Sequence, residues 1–258
     1  MESSAIALVS VVAMAAAAVG VITGGNSLVT VPVLLSLGME PRRAVATNML
    51  AITFLSLAGG ARFVRGSGAR FRWDLTLPLC ALTLVSSWLG ARLLVVLPEG
   101  AVRGIVAGAM LIMVAVLVAR PRFGEAARGD LSPRRRALGY LVATLLGVYG
   151  GLFSGGYTTL LTFAVIGLLG ASLVEAVGVT KLVNFVSSGI AALEFARQGL
   201  VDYSVGLPMA AAMALGAWLG AQLAVRRGFG WVRLVFVVAV ALLAVKLLIV
   251  DLLPRAVR

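Results

Sequence analysis

The chain has 258 residues, 61% of them hydrophobic and only 12% charged, where soluble domains carry about 45–50% apolar and about 25% charged residues. The net charge is +12, but the arginines gather in short loops between apolar runs, which is a topology signal of a membrane protein and not a nucleic-acid footprint. There is no histidine and a single cysteine, Cys80; this excludes an intrachain disulfide and a Ser-His triad, leaves zinc and haem without a ligand set, and makes a cofactor unexpected.

The first apolar segment, near 5–22, has no basic residue before it, so it lacks the charged start of a cleavable signal and reads as a membrane helix. It runs into a break, Gly24-Gly25-Asn26, followed by a short apolar segment near 26–37. Such a break is expensive in lipid, because every freed backbone group needs a partner. Longer segments follow near 41–64, 73–97 and 101–119. A basic stretch at 120–135 separates them from five further segments, near 136–153, 156–169, 172–196, 203–225 and 230–253. The second set opens with its own break, Gly155-Gly156-Tyr157, before its short segment.

The two sets carry the same landmarks at an offset of about 130 residues. SWLGARLL (87–94) matches AWLGAQLA (217–224), Pro78 meets Pro208, Val102-Arg103 meets Val232-Arg233, and Gly24-Gly25 meets Gly155-Gly156. AVATN (44–48) meets AVGVTK (176–181) with a small insertion. The expected fold is therefore an all-α, polytopic membrane protein of two homologous five-segment repeats, 1–119 and 136–258, joined by the linker 120–135. Five crossings per half invert the second repeat, and the short segments then sit as broken helices near the midplane. Thirteen arginines fall in 62–74, 120–136 and 226–233, against six in the loops and termini opposite. The positive-inside rule puts the linker in the cytoplasm and both termini outside, in a multi-pass protein of the cell membrane. If the short segments re-enter instead, each half makes four crossings and both termini lie inside; charge counting does not separate the two.

A helix that starts after Gly-Gly presents amide groups without intrahelical partners and a partial positive charge, a ready anion site. Asn26 is a good N-cap residue, and Ser27, Thr30, Thr158 and Thr159 add hydroxyls. Thr47 and Asn48 lie in one long segment, and Thr180 and Lys181 in its counterpart, about 10–14 Å deep in a core of about 30 Å. Lys181 has no acidic neighbour in sequence. An ionisable group at that depth marks function, and a lone lysine suits an anion. Asn184 follows one turn later on the same side. In an inverted arrangement the pseudo-twofold axis relates Asn48 to Lys181 and offers to bring them to one site. Arg62 and Glu194 read as interfacial groups near helix ends, with a proton or coupling role as the other reading of Glu194, Lys246 and Asp251 as snorkelling or a local pair, and Trp88 and Trp218 as packing or gating residues in mid-segment.

The pattern of a Gly-rich break, a short apolar helix and a small-polar cluster opening a long helix resembles the sulfite exporter TauE/SafE family. The two copies read TGGNSLVTVPVLLSLGMEPRRAVATN (23–48) and SGGYTTLLTFAVIGLLGASLVEAVGVTK (154–181). The second departs from the first: Phe163 stands where Pro32 does, Leu173 near Pro41, and Tyr157 at the Asn26 position. The resemblance implies export of a small sulfur-containing or organic anion, with sulfite as the name-giving type. Taken with the residues, it predicts a secondary transporter with alternating access around Gly24, Gly25, Asn26, Thr47, Asn48, Gly155, Gly156, Tyr157, Thr180, Lys181 and Asn184. The other reading of the same site is an anion channel. No ATP-binding GxxxxGK[ST] sequence occurs, and no catalytic or metal-binding set is expected. The expected partners are a small anionic substrate and the lipid bilayer, with no nucleic acid; a homo-oligomer is admissible.

Overall fold

The computed structural model describes residues 2–66, 71–119 and 132–227. Among them every element is a helix: α1 (Ser3–Thr23), α2 (Ser27–Ser36), α3 (Pro41–Gly66), α4 (Trp73–Val96), α5 (Glu99–Ala119), α6 (Pro133–Leu152), α7 (Tyr157–Leu169), α8 (Leu173–Arg197) and α9 (Tyr203–Arg227). Each coincides with a predicted segment to within three residues at either end. The segment 230–253, with Val232-Arg233, Lys246 and Asp251, lies outside the described residues, as does most of the linker 120–135.

Local chemistry sets the helix starts. Ser132 caps α6 by accepting the Arg135 N–H, with Pro133 in the first turn. Ser172 and Glu175 close a reciprocal capping box at α8. Asp202 accepts both the N–H and the hydroxyl of Ser204 at the start of α9. Five helices (α1, α3, α4, α8 and α9) contain stretches long and apolar enough to cross a membrane, while α2 and α7 are short and apolar. Large apolar side chains such as Leu77, Val85, Leu207 and Leu215 face outward from α4 and α9, as a surface solvated by lipid tails requires.

Helix directions follow from the contacts. Along α3 and α8, Phe63 lies beside Gly178, Gly60 beside Lys181 and Leu182, Ser56 beside Asn184, and Thr53 beside Gly189. One register falls as the other rises, so α3 and α8 are antiparallel. Gly216 and Gly220 of α9 rest on the backbone of Met14 and Ala18 in α1. Gly206 meets Thr47 and Leu50 of α3, and Ala217 meets Gly59. Thus α1, α3 and α9 run in parallel. Gly147 and Gly151 of α6 meet Thr83, Ser86 and Ser87 of α4, while Ser87 and Arg92 of α4 meet Ser187 and Glu194 of α8. These three helices run in parallel too, opposite to the first group.

Since α1 and α3 point the same way, the chain returns through α2 between them, and α7 does the same between α6 and α8. The arrangement in which α2 brings the chain back to the face where α1 ended is thereby ruled out. The larger apolar core lies mainly among α1, α2, α3, α5 and α9 and the smaller one among α4, α6, α7 and α8. The fourth helix of each set packs on the first and third helices of the other: α4 on α6 and α8, α9 on α1 and α3. Glycines let those backbones approach closely.

Candidate functional site: two touching helix breaks beside a buried lysine

At the first break, Gly24 ends α1 in the left-handed region with φ 82°, and its N–H bonds the Gly20 carbonyl. At the second, Gly156 has φ 80° and starts α7. Both conformations favour glycine. The breaks touch. The Thr158 hydroxyl donates to the Gly24 carbonyl at 3.1 Å, and a Cβ on Gly24 would run into Thr158 and the Thr159 amide. Leu28 of α2 covers Gly155, and Met113 of α5 lies against Gly156. The second interruption thus supplies a partner for a freed carbonyl of the first, far from it in sequence, and such partners are what an interruption in a membrane helix needs.

The two helix starts differ. At α2 the turn is closed by its own backbone: the Leu28 N–H bonds the Gly25 carbonyl, and those of Val29 and Thr30 bond the Asn26 carbonyl. Asn26 does not cap the helix as expected. Its backbone is already helical, its side chain makes no capping bond, and it packs against Gly20 with Oδ1 unpartnered. At α7 the Tyr157 and Leu160 N–H groups bond the Ser154 and Gly156 carbonyls. Tyr157 is wholly buried against Gly150, and the Tyr149 hydroxyl donates to the Gly155 carbonyl.

On the long helices, Asn48 accepts from Thr30 at 2.6 Å and donates to Ser27 at 2.8 Å, so α3 holds α2. Eighteen residues also separate Thr162 from Thr180, whose hydroxyls lie 3.2 Å apart and join α7 to α8 in the same manner. Lys181 is 2% exposed, and among the described residues no acidic side chain pairs with it. One turn on, Asn184 donates to Ser56 at 2.6 Å and lies 3.4 Å from the Ser154 hydroxyl at the second break. Asn184 and the hydroxyls of Ser154, Thr162 and Thr180 thus lie where α7 and the second break meet α8, the helix that carries the buried Lys181.

One expected juxtaposition does not occur. Asn48 and Lys181 do not meet: Lys181 sits by Gly60, twelve positions along α3 from Asn48, or about 18 Å. Thr47 lies away from the breaks and accepts the Asp202 N–H at the α8–α9 turn. Glu194, in the last turn of α8, is 2% exposed and bonds the Arg92 guanidinium at 2.8 Å. Ser56, Ser154 and Thr162 escape a reading of the sequence. Hydroxyl residues are common in membrane helices, and only the packing of α3 and α7 on α8 singles these out.

The sulfite exporter TauE/SafE family profile matches residues 9–247. A probable membrane transporter protein of Haemophilus influenzae is 28% identical over 247 residues, covering 94% of each chain. The probable membrane transporter protein YfcA of Escherichia coli is 30% identical over 241 residues, covering 92% of this chain and 87% of the relative. A similar protein of Sinorhizobium is 26% identical over 247 residues. No solved structure matches. With the family profile spanning nearly the whole chain, and the helical fold and broken helices in agreement, this membrane protein belongs to the sulfite exporter TauE/SafE family of transporters.

Proposed function

We propose that the protein is a secondary transporter that moves a small anion, of the sulfite or sulfonate class, by alternating access around the paired breaks. The observation that carries this is Lys181, buried in a membrane helix with no acidic partner among the described residues. A buried, unpaired charge is costly, and an anionic substrate is the partner that would offset it. The family supports the substrate class. The antiparallel α3–α8 pair and the exchanged packing of α4 and α9 support two inverted repeats. Gly24, Gly25, Gly155, Gly156, Tyr157, Thr180, Lys181 and Asn184 form the site, with Asn26 and Asn48 bracing α2. The arginine-rich linker 120–135 faces the cytoplasm of a cell-membrane protein, and the exporter family supports outward transport.

The test is flux in liposomes with sulfite, sulfate, sulfoacetate, lactate and chloride, on wild type and on Lys181→Ala. Saturable transport with counterflow is expected of a carrier and not of a channel. Removing the charge should weaken anion affinity by about 1.5–3 kcal/mol, roughly tenfold to a hundredfold. Full affinity and rate in Lys181→Ala would sink the proposed site.

A further inference from the structure

Beyond Lys181, the polar side of α8 continues toward the end of the helix. Thr180, Asn184, Ser187, Ala191 and Glu194 recur at spacings of three and four, which puts them along one side. Ser187 reaches Ser87 of α4 at 2.7 Å, and Glu194, two turns later, reaches Arg92 of α4 at 2.8 Å. Lys181 and Glu194 are thirteen residues apart, about 20 Å along the helix. The Arg92 guanidinium lies over the Trp88 ring, 5.1 Å from its centroid, and is 56% exposed, whereas Glu194 is 2% exposed and also accepts from Gln198. The buried carboxylate therefore depends on a guanidinium that reaches the surface.

The opposite end is built differently. In the match of SWLGARLL with AWLGAQLA, Gln222 stands at the Arg92 position, and a basic residue, Arg62, lies toward the end of α3, the counterpart of α8. Arg62 lies over Trp218, 5.9 Å from the ring centroid, and among the described residues no carboxylate pairs with it. Both ends thus present a guanidinium on a tryptophan face, and only one of these cations is covered by a carboxylate. A guanidinium binds carboxylates and other small oxyanions through the same donor fork.

We propose that Arg92 is a second anion-binding point on the route from Lys181, for the same small oxyanions, and that Glu194 occupies it as a tethered stand-in. While the pair is closed, the α4–α8 end of the route is shut; an arriving anion takes the place of Glu194 on Arg92 and opens it. No bond is made or broken covalently. This rests on the reading of Lys181 as the central site.

The test places a single cysteine at Ser188, buried between Asn184 and Glu194, in a Cys80→Ser background. Its reaction with a membrane-impermeant thiol reagent is followed in membrane vesicles of both orientations. In the parent the cysteine should be protected. Glu194→Gln should raise its labelling rate about tenfold from the face that carries 198–202, by shifting the closed–open equilibrium, and Glu194→Asp should keep it protected. The double variant Arg92→Gln, Glu194→Gln leaves no unmatched charge; it should label fast and ignore sulfate. Millimolar sulfate should speed labelling of the parent. Parent-like labelling in both Glu194→Gln and the double variant would overturn the gate, and no effect of sulfate on the parent would overturn the anion point. Labelling needs no flux, so an open gate in Glu194→Gln together with unchanged transport in Lys181→Ala would discard only the central site.

Discussion

Gly24 carries two demands at once. Its φ of 82° disfavours any side chain, and the space where a Cβ would stand is filled by Thr158 and the Thr159 amide of the other break. Gly24→Ala should therefore destabilise the protein by more than the roughly 1 kcal/mol lost by an ordinary glycine in the wrong context, read as a lower unfolding midpoint in detergent. Thr158→Val removes the hydroxyl that joins the breaks and leaves the Gly24 carbonyl without that donor. It should cost about 1–3 kcal/mol in the same measurement. A midpoint equal to wild type in Thr158→Val would show that this hydrogen bond does not hold the breaks together. Lys181 differs in kind: its burial is a cost to the fold, so Lys181→Ala should lose anion affinity with little or no loss of stability.

At the level of elements, caps and close approaches do separate work. Asp202 sits outside the membrane helices, and its carboxyl is held below the usual carboxylate range by the Ser204 hydroxyl and by backbone N–H groups at the start of α9. The depressed folded value means that the ionised form stabilises the fold. That contribution is present above the ordinary carboxylate range and is lost as the pH falls through the lowered value. Asp202→Ala should cost about 1 kcal/mol at neutral pH, and the gap to wild type should close on acidification. A gap that stays constant down to strongly acidic pH would refute the capping role. In α9, Gly216 and Gly220 let the helix rest on the α1 backbone; a valine at either position forces the pair apart, and thermal melts should report a loss larger than at Gly100 or Gly104, where nothing lies close.

Over the whole molecule, two parallel groups of helices face one another through α3 and α8. In the Cys80→Ser background, Thr53→Cys paired with Gly189→Cys should form a disulfide, since Thr53 Cγ2 lies 3.6 Å from where a Gly189 Cβ would stand and the two positions face one another across α3 and α8. Thr53→Cys with Gly178→Cys should not, because an antiparallel register puts Gly178 beside Phe63. The reverse result would mean that α3 and α8 run parallel. Single cysteines in 38–40 and 198–200 should label from the same face, because both stretches lie at the end where α3 and α9 begin.

Much of this was legible in the chain. Helix extents follow from apolar runs long enough to span lipid, and the breaks from paired glycines that no continuous helix favours. Lys181 stands out because a lone charge amid apolar residues is costly wherever it is buried. What the sequence left open was direction and partnership, since periodicity along one helix says nothing about the helix it meets. The packing of glycines on α1 and α4 fixed the sense of each helix and so the return through α2 and α7. The same packing parted Asn48 from Lys181, buried Glu194 against Arg92, and joined Gly24 to Thr158. Those pairings bridge residues distant in sequence, and only close packing in three dimensions selects them.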